Sequence, residues 1–139
     1  MLKVILDTNV LVSALIQRSY PHLIINELFI NDRFKLCLSD ALMAEYYEVL
    51  SRPKFSRFPD FLVRAEIILA EISSQATHYS PNISIDLISD QNDNRLLELA
   101  VESKADFIIT GNTNDFTFSL FHQTQIISPR SFWEMHMIV

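Results

Sequence analysis

Short apolar runs alternate along this chain with apolar positions at helical spacing. Val4-Ile5-Leu6 is an uninterrupted apolar run, the pattern of a strand buried on both faces. Polarity then switches at Asp7-Thr8-Asn9, and apolar residues return at Val10, Leu11, Ala14 and Leu15 at a helix's spacing. Ser19-Tyr20-Pro21 predicts a turn, with Pro21 opening a second helix whose apolar face is Leu23, Ile24, Leu28 and Phe29 and whose end is Asn31-Asp32. Phe34 to Leu38 reads as a second strand. Ser39 is placed to cap a third helix, from Asp40 to Ser51, which stops before Pro53. Asp60 stands ready to cap a fourth, with Phe61, Ala65, Ile68, Leu69 and Ile72 inward.

Residues 76–89 read as strand and loop. Asp90 suits the cap of a fifth helix. Phe107-Ile-Ile109 is a fully apolar strand that breaks into Thr110-Gly111-Asn112-Thr113-Asn114-Asp115. A last strand, Gln125 to Ile127, precedes Ser128-Pro129 and a terminal helix over Arg130–His136. The alternation predicts an α/β fold: three layers, α/β/α, around a central parallel, Rossmann-like sheet. No linker, repeat or low-complexity tract interrupts residues 1–139, so one domain is expected.

Three acids stand out against this pattern. Asp7 ends a buried strand, which puts it at the carboxyl edge of the sheet, where open α/β sheets bind ligands. It is equally a residue type favoured as a helix cap. Glu45 lies three residues after Leu42 and four before Val49, so it projects among apolar neighbours or at their margin, where it reaches water. Asp93 heads the stripe of Leu96, Leu97 and Ala100, at a helix amino terminus whose dipole favours negative charge.

Composition narrows the chemistry. With 49% apolar and 20% charged residues, neither disorder nor a fibre is indicated. No apolar run approaches the ~20 residues of a membrane span, and Asp7 interrupts the only early apolar run, unlike a secretion signal. A cytoplasmic protein is expected. One cysteine, Cys37, forms no internal disulfide and no multi-cysteine zinc site, and reads as core. The single glycine, Gly111, excludes phosphate-cradling loops, which need several, and G-x-S-x-G is absent. A net charge of −6 argues against a large phosphate-binding surface but suits acids that hold a cation. Arg52-Pro53-Lys54-Phe55-Ser56-Arg57-Phe58 is the basic exception. It is a solvated loop with packed aromatics or, if a polyanion binds, the place where Arg52, Lys54 and Arg57 hold it.

Asp7, Glu45, Asp93 and the 112–115 loop all face the carboxyl edge of one sheet in this scheme. Gathered carboxylates repel unless a cation sits between them. Oxygen-only ligands select a hard ion, Mg²⁺ or Mn²⁺, which binds phosphate well and serves phosphodiester hydrolysis. With no nucleotide loop, hydrolysis of nucleic acid fits better than phosphoryl transfer from ATP.

Four motifs, in order, then carry a family resemblance: Leu6-Asp-Thr-Asn-Val-Leu-Val-Ser13; Ser39-Asp-Ala-Leu-Met-Ala-Glu-Tyr46 with Leu50-Ser-Arg-Pro-Lys-Phe55; Asp90-Gln-Asn-Asp-Asn94; and Ile109-Thr-Gly-Asn112. The chain resembles the PIN-domain family, especially the VapC-like toxin components of bacterial toxin–antitoxin pairs. The resemblance implies a metal-dependent endoribonuclease, with Asp7, Glu45 and Asp93 matching the family's three most regular acids. It also implies an RNA substrate, an antitoxin partner covering the acidic edge, and pairing as a homodimer.

One departure from the family pattern is visible. Asn112 stands where many members have Asp, and Asp115, three residues on, is expected to supply the missing charge. One firmly held ion is expected. Asn9, Thr110 and Asn112 are expected to orient the acids or a water, and Thr8 to be structural. The histidines (His22, His78, His122 and His136) share no ligand spacing and read as surface or partly buried residues, while Trp133 reads as packed. Two alternatives compete. A catalytically weak protein- or RNA-binding PIN module draws on Asn112 and the acidic charge. An aspartyl-phosphate phosphatase fails at Asn9, where its second acid belongs.

Overall fold

A computed structural model describes residues 1–138, with side chains through residue 135. The buried run Val4-Ile5-Leu6 lies in β1 (Lys3–Leu6), and α1 (Thr8–Ile16) follows at once, burying Val10, Leu11, Ala14 and Leu15. Next comes α2 (Tyr20–Leu23), with Pro21 in its first turn. It passes directly into a wider π-helical turn, Ile24–Phe29, which buries Ile24, Ile25, Leu28 and Phe29. Then come β2 (Lys35–Leu38), α3 (Asp40–Leu50), α4 (Phe61–Gln75), β3 (Thr77–His78) and α5 (Gln91–Ser103). The chain closes with β4 (Phe107–Ile109), β5 (Leu120–Phe121), β6 (Thr124–Ile127) and α6 (Pro129–Ile138).

The sheet runs β3-β2-β1-β4-β6-β5, parallel throughout except for β5, which pairs antiparallel with β6. This is the expected α/β fold with a central parallel sheet, to which the antiparallel β5 is added at one edge. The first three strands wind outward from β1 in one direction, and β4 lies on its other side. Chain order therefore reverses between β1 and β4, the switch point where such sheets bind ligands.

Register fixes what stands along the edge. Leu6 pairs with Ile109, Ile109 with Ile127, and Leu38 with His78. The residues just past the strands form a row: Tyr79, Ser39, Asp7, Thr110, Ser128. Strand neighbours lie about 5 Å apart. Asp7 sits at its middle, joined by its own N–H to the Ile109 carbonyl at 3.0 Å.

Three local expectations change. β5 has no counterpart in the sequence pattern; its two residues and the turn through His122, at φ 54°, are too short to leave an alternation. Asp60 precedes α4 but does not cap it through its side chain, because its backbone is left-handed at φ 59°. The terminal helix starts one residue earlier and runs further than expected; the His136 side chain lies outside the described residues. Ser39 caps α3 by accepting from the Leu42 N–H at 3.2 Å, as expected. Cys37 is fully buried, and Trp133 packs partly buried against the core. Among the described residues no helix is long and apolar enough to cross a membrane.

Candidate metal and nuclease site

Asp7 occupies the cap position of α1, yet its carboxylate makes no capping bond. It is turned to the sheet edge instead. Oδ2 accepts from the Thr110 hydroxyl at 2.8 Å and from the Asn9 amide at 3.3 Å. Asn9 is itself held, its Oδ1 accepting from the Gly111 N–H at 3.1 Å. The loops after β1 and β4 are thus laced together around one carboxylate. A side chain at Gly111 would meet the Asn9 Oδ1 at 3.5 Å, ordinary contact, so this glycine serves no close approach. Burial pushes the Asp7 carboxyl up; the Thr110 hydrogen bond opposes this and the Glu45 charge adds to it.

Glu45 projects from α3, half-buried among Leu42, Tyr46 and Val49. The Thr8 hydroxyl donates to its Oε2 in a short contact. Thr8, expected to be structural, therefore holds one of the candidate acids. Its neighbour Tyr46 is fully buried and donates to the Leu6 carbonyl at 2.5 Å, pinning α3 against the end of β1.

Asp93 lies in the first turn of α5, 6% exposed, and its Oδ2 is buried without a hydrogen-bond partner. Its carboxyl is pushed up to about 7, by burial first and then by the charges of Asp7, Asp90, Asp115 and Glu45. Four acids from four segments thus act on Asp93. Asp90, read as a cap, does cap α5 through the Asn92 N–H at 2.9 Å, and it also belongs to this field. Asp115 is exposed, in the single turn Thr113–Asp115. Asn112 is exposed too. Its N–H donates to the Thr110 hydroxyl at 3.1 Å, while its amide makes no hydrogen bond among the described residues.

Asn94, beside Asp93, gave no signal in the sequence beyond its place in Asp-Gln-Asn-Asp-Asn. Fully buried, it accepts from the N–H groups of Leu87 and Ile88 and donates to the Ile88 carbonyl at 2.7 Å. That bonding straps the preceding loop to α5 and sets the helix start that carries Asp93.

The acids do not form a finished cage. Among the described residues no three acidic, histidine or cysteine side chains are close enough to hold a metal ion as they stand. Like charges spread apart when nothing lies between them. The donor set nonetheless fits a hard divalent ion: it is all oxygen, and a buried carboxylate oxygen of Asp93 awaits a partner. His22, His78 and His122 are scattered away from it; His22 hydrogen-bonds near the α1 carboxyl end. The basic run stays exposed. Arg52 pairs with Glu48 at 2.8 Å, with Lys54 and Arg57 lying over Phe55 and Phe58.

Residues 3–114 match the PIN domain family, a span that contains every acid of this cluster except Asp115. The chain belongs to the PIN-domain family. It is also 32% identical over 112 residues to Uncharacterized protein MJ1680 of Methanocaldococcus jannaschii, covering 80% of this chain and 71% of that protein. PIN domains are typically nucleases, and such nucleases generally use divalent metals. In this PIN domain the acids come from β1, α3, α5 and the loop after β4, and the strand order brings all four to one edge.

Proposed function

We propose that this PIN domain is a Mg²⁺- or Mn²⁺-dependent endoribonuclease, with Asp7, Glu45 and Asp93 as its metal-holding acids and Asp115 as a fourth. The observation that carries this reading is Asp93: a buried carboxylate oxygen with no partner, in a carboxyl raised to about 7 by burial first and then by four other acids. A structural carboxylate would be expected to have a partner, because an unpaired buried one is costly. A bound divalent ion would supply activation of a water and neutralisation of the phosphodiester's charge.

The chain's own residues supply the rest. Thr110 and Asn9 fix the Asp7 carboxylate, and Thr8 fixes Glu45, so two acids are held in place before any ligand arrives. The amino terminus of α5 favours the charge Asp93 acquires when it gives up its proton. Asn112, uncharged and exposed, is placed to hydrogen-bond a substrate oxygen rather than to pull on the ion. Arg52, Lys54 and Arg57 contact the RNA backbone in this reading.

The toxin role is the finer part of the proposal, supported by the four motifs and by α4. Leu62, Val63 and Ile67 are each more than half exposed on that helix, apolar surface that suits a protein partner. An antitoxin segment covering the acidic edge is the partner this reading calls for, in a cytoplasmic protein that also pairs as a homodimer.

The test is cleavage of a mixed RNA panel with Mg²⁺ or Mn²⁺, with chelator, and with Asp7→Asn. Metal-dependent cutting lost in the variant is expected. Binding of RNA without cutting would instead establish the weak binding module that Asn112 favours.

A further inference from the structure

A cavity opens along the same sheet edge, at the ends of β2 and β3, the strands on one side of the one that leads to Asp7. It measures about 270 Å³ and is lined by Ser39, Asp40, Tyr79, Pro81, Arg95 and Glu98. Ser39 and Tyr79 are the edge residues of β2 and β3, in the row that contains Asp7. Arg95 and Glu98 stand on α5, the helix that carries Asp93.

The donors and acceptors here are unevenly committed. Glu98 is 8% exposed and already engaged: one oxygen accepts from the Ile85 N–H at 2.9 Å, the other faces Arg95 Nε at 3.0 Å. Arg95 Nη2 donates to Gln91 at 3.2 Å, while Nη1 has no partner among the described residues. The Asp40 carboxylate makes no hydrogen bond among the described residues, and neither does the half-buried Tyr79 hydroxyl. The cavity therefore presents one guanidinium edge, one free carboxylate and an aromatic side chain.

A phosphate does not suit it, because two carboxylates border the space. A base does. Guanine offers two acceptors, O6 and N7, which an arginine reads as a pair. On its other edge guanine offers two donors, N1–H and the N2 amino group, which a carboxylate accepts. Adenine lacks the paired acceptors; cytosine has such a pair in N3 and O2 but lacks guanine's two adjacent donors, and a tyrosine ring gives any base a stacking surface. The size is below the roughly 300 Å³ at which drug-sized pockets begin, in keeping with a single base.

We propose that this cavity is a guanine subsite, in which Arg95 and Asp40 seat one base of the RNA strand and so fix which bond reaches the acids. The proposal rests on the nuclease reading above and names its substrate specificity. Asp40 would otherwise be explained as a first-turn acid complementing the dipole of α3, and Arg95 as the partner of Glu98.

The experiment uses the full chain with Mn²⁺ and short uridine-rich RNAs in which one guanine is moved along the strand. Cleavage at a fixed offset from the guanine is expected, about tenfold faster than in RNA with none. Inosine, which lacks the N2 amino group, and 7-deazaguanine, which lacks N7, should each lose most of that preference. Asp40→Asn and Arg95→Gln should bring the ratio of guanine-containing to guanine-free cleavage near one. Cleavage indifferent to guanine, or a ratio unchanged in both variants, overturns the subsite. Should Arg95→Gln fail to fold because Glu98 loses its partner, Asp40→Asn decides alone. If no RNA is cut at all, the nuclease reading fails, and titration with GMP, AMP and CMP followed on the Arg95 side-chain NMR signals judges the base site. A response selective for GMP sustains it; an equal response or none overturns it.

Discussion

Thr110 donates its hydroxyl to Asp7 Oδ2 at 2.8 Å, across 103 positions of sequence. The contact exists because Leu6 and Ile109 are register partners, so the residues after them stand side by side. Thr110 is fully buried and also accepts from the Asn112 N–H, so it links the β1 acid to the loop that carries Asp115.

Thr110→Val keeps the shape and removes the donor. The Thr110 bond opposes the burial that pushes the Asp7 carboxyl up, so its loss should raise that carboxyl further and weaken divalent binding. A fall of about 10-fold to 100-fold in Mn²⁺ affinity is expected, the usual effect of losing a group that orients a ligand. Titration calorimetry on folded protein checks it, and an unchanged affinity would reduce Thr110 to a packing residue. Thr8→Val should also weaken divalent binding, by freeing the Glu45 side chain from the hydroxyl that holds it.

The Asp93 carboxyl gives the metal-free protein a pH dependence with a definite sign. Its value is about 7 in the folded chain against roughly 3.9 unfolded. Between the two, the folded chain holds a proton that the unfolded chain has released, so stability falls as pH rises through that window. Asp7, also raised, pushes the same way. Metal-free protein should melt higher at pH 5 than at pH 8, and Asp93→Asn should shrink the difference. A difference unaltered by Asp93→Asn would place its origin elsewhere.

The elements that carry this site were legible because each is bounded by an abrupt change of pattern. Val4-Ile5-Leu6 stops at Asp7, and Phe107-Ile-Ile109 stops at Thr110; a strand buried on both faces has no other way to end. Helix spacing likewise set Glu45 and Asp93 on inward faces. What the sequence could not show were contacts between segments. Thr8 looks like any first-turn helix residue until Glu45 is brought to it from 37 positions away. Nothing in the spacing marks Asn94 as buried, yet it is fully buried because the loop before α5 folds back and needs its amide. The spreading of the acids was equally invisible, since spacing gives a residue's face but not its distance from a like charge.

The basic run makes a separate prediction. Arg52 is tied to Glu48, and Lys54 and Arg57 lie over aromatic rings, but all three are exposed and available to a backbone phosphate. Replacing them with alanine should weaken RNA binding about equally for every sequence. Each lost contact should flatten the salt dependence by a slope of about 0.7 for a single strand. Unchanged affinity and slope would make the run a solvated loop with packed aromatics.

The acids' cost to the fold can be measured against their use. Asp93→Asn removes a charge from a buried site where no cation partner is present, so at pH 8 the metal-free variant should melt a few degrees above the parent, about 3 °C for each kcal/mol. At pH 5 the parent carboxyl is already protonated, and the gain should vanish. Added Mg²⁺ should raise the parent's melting temperature by mass action and the variant's much less. Cleavage should be lost in the variant, the expected trade of function for stability. A carboxylate serving only the helix predicts the reverse: lower stability, no Mg²⁺ response to lose, and activity intact. Asp115→Asn completes the series. Its charge reaches Asp93 from an exposed turn, so if Asp115 compensates for the missing acid at Asn112, the Mg²⁺-induced rise should shrink; a rise of the parent's size would leave the site to Asp7, Glu45 and Asp93.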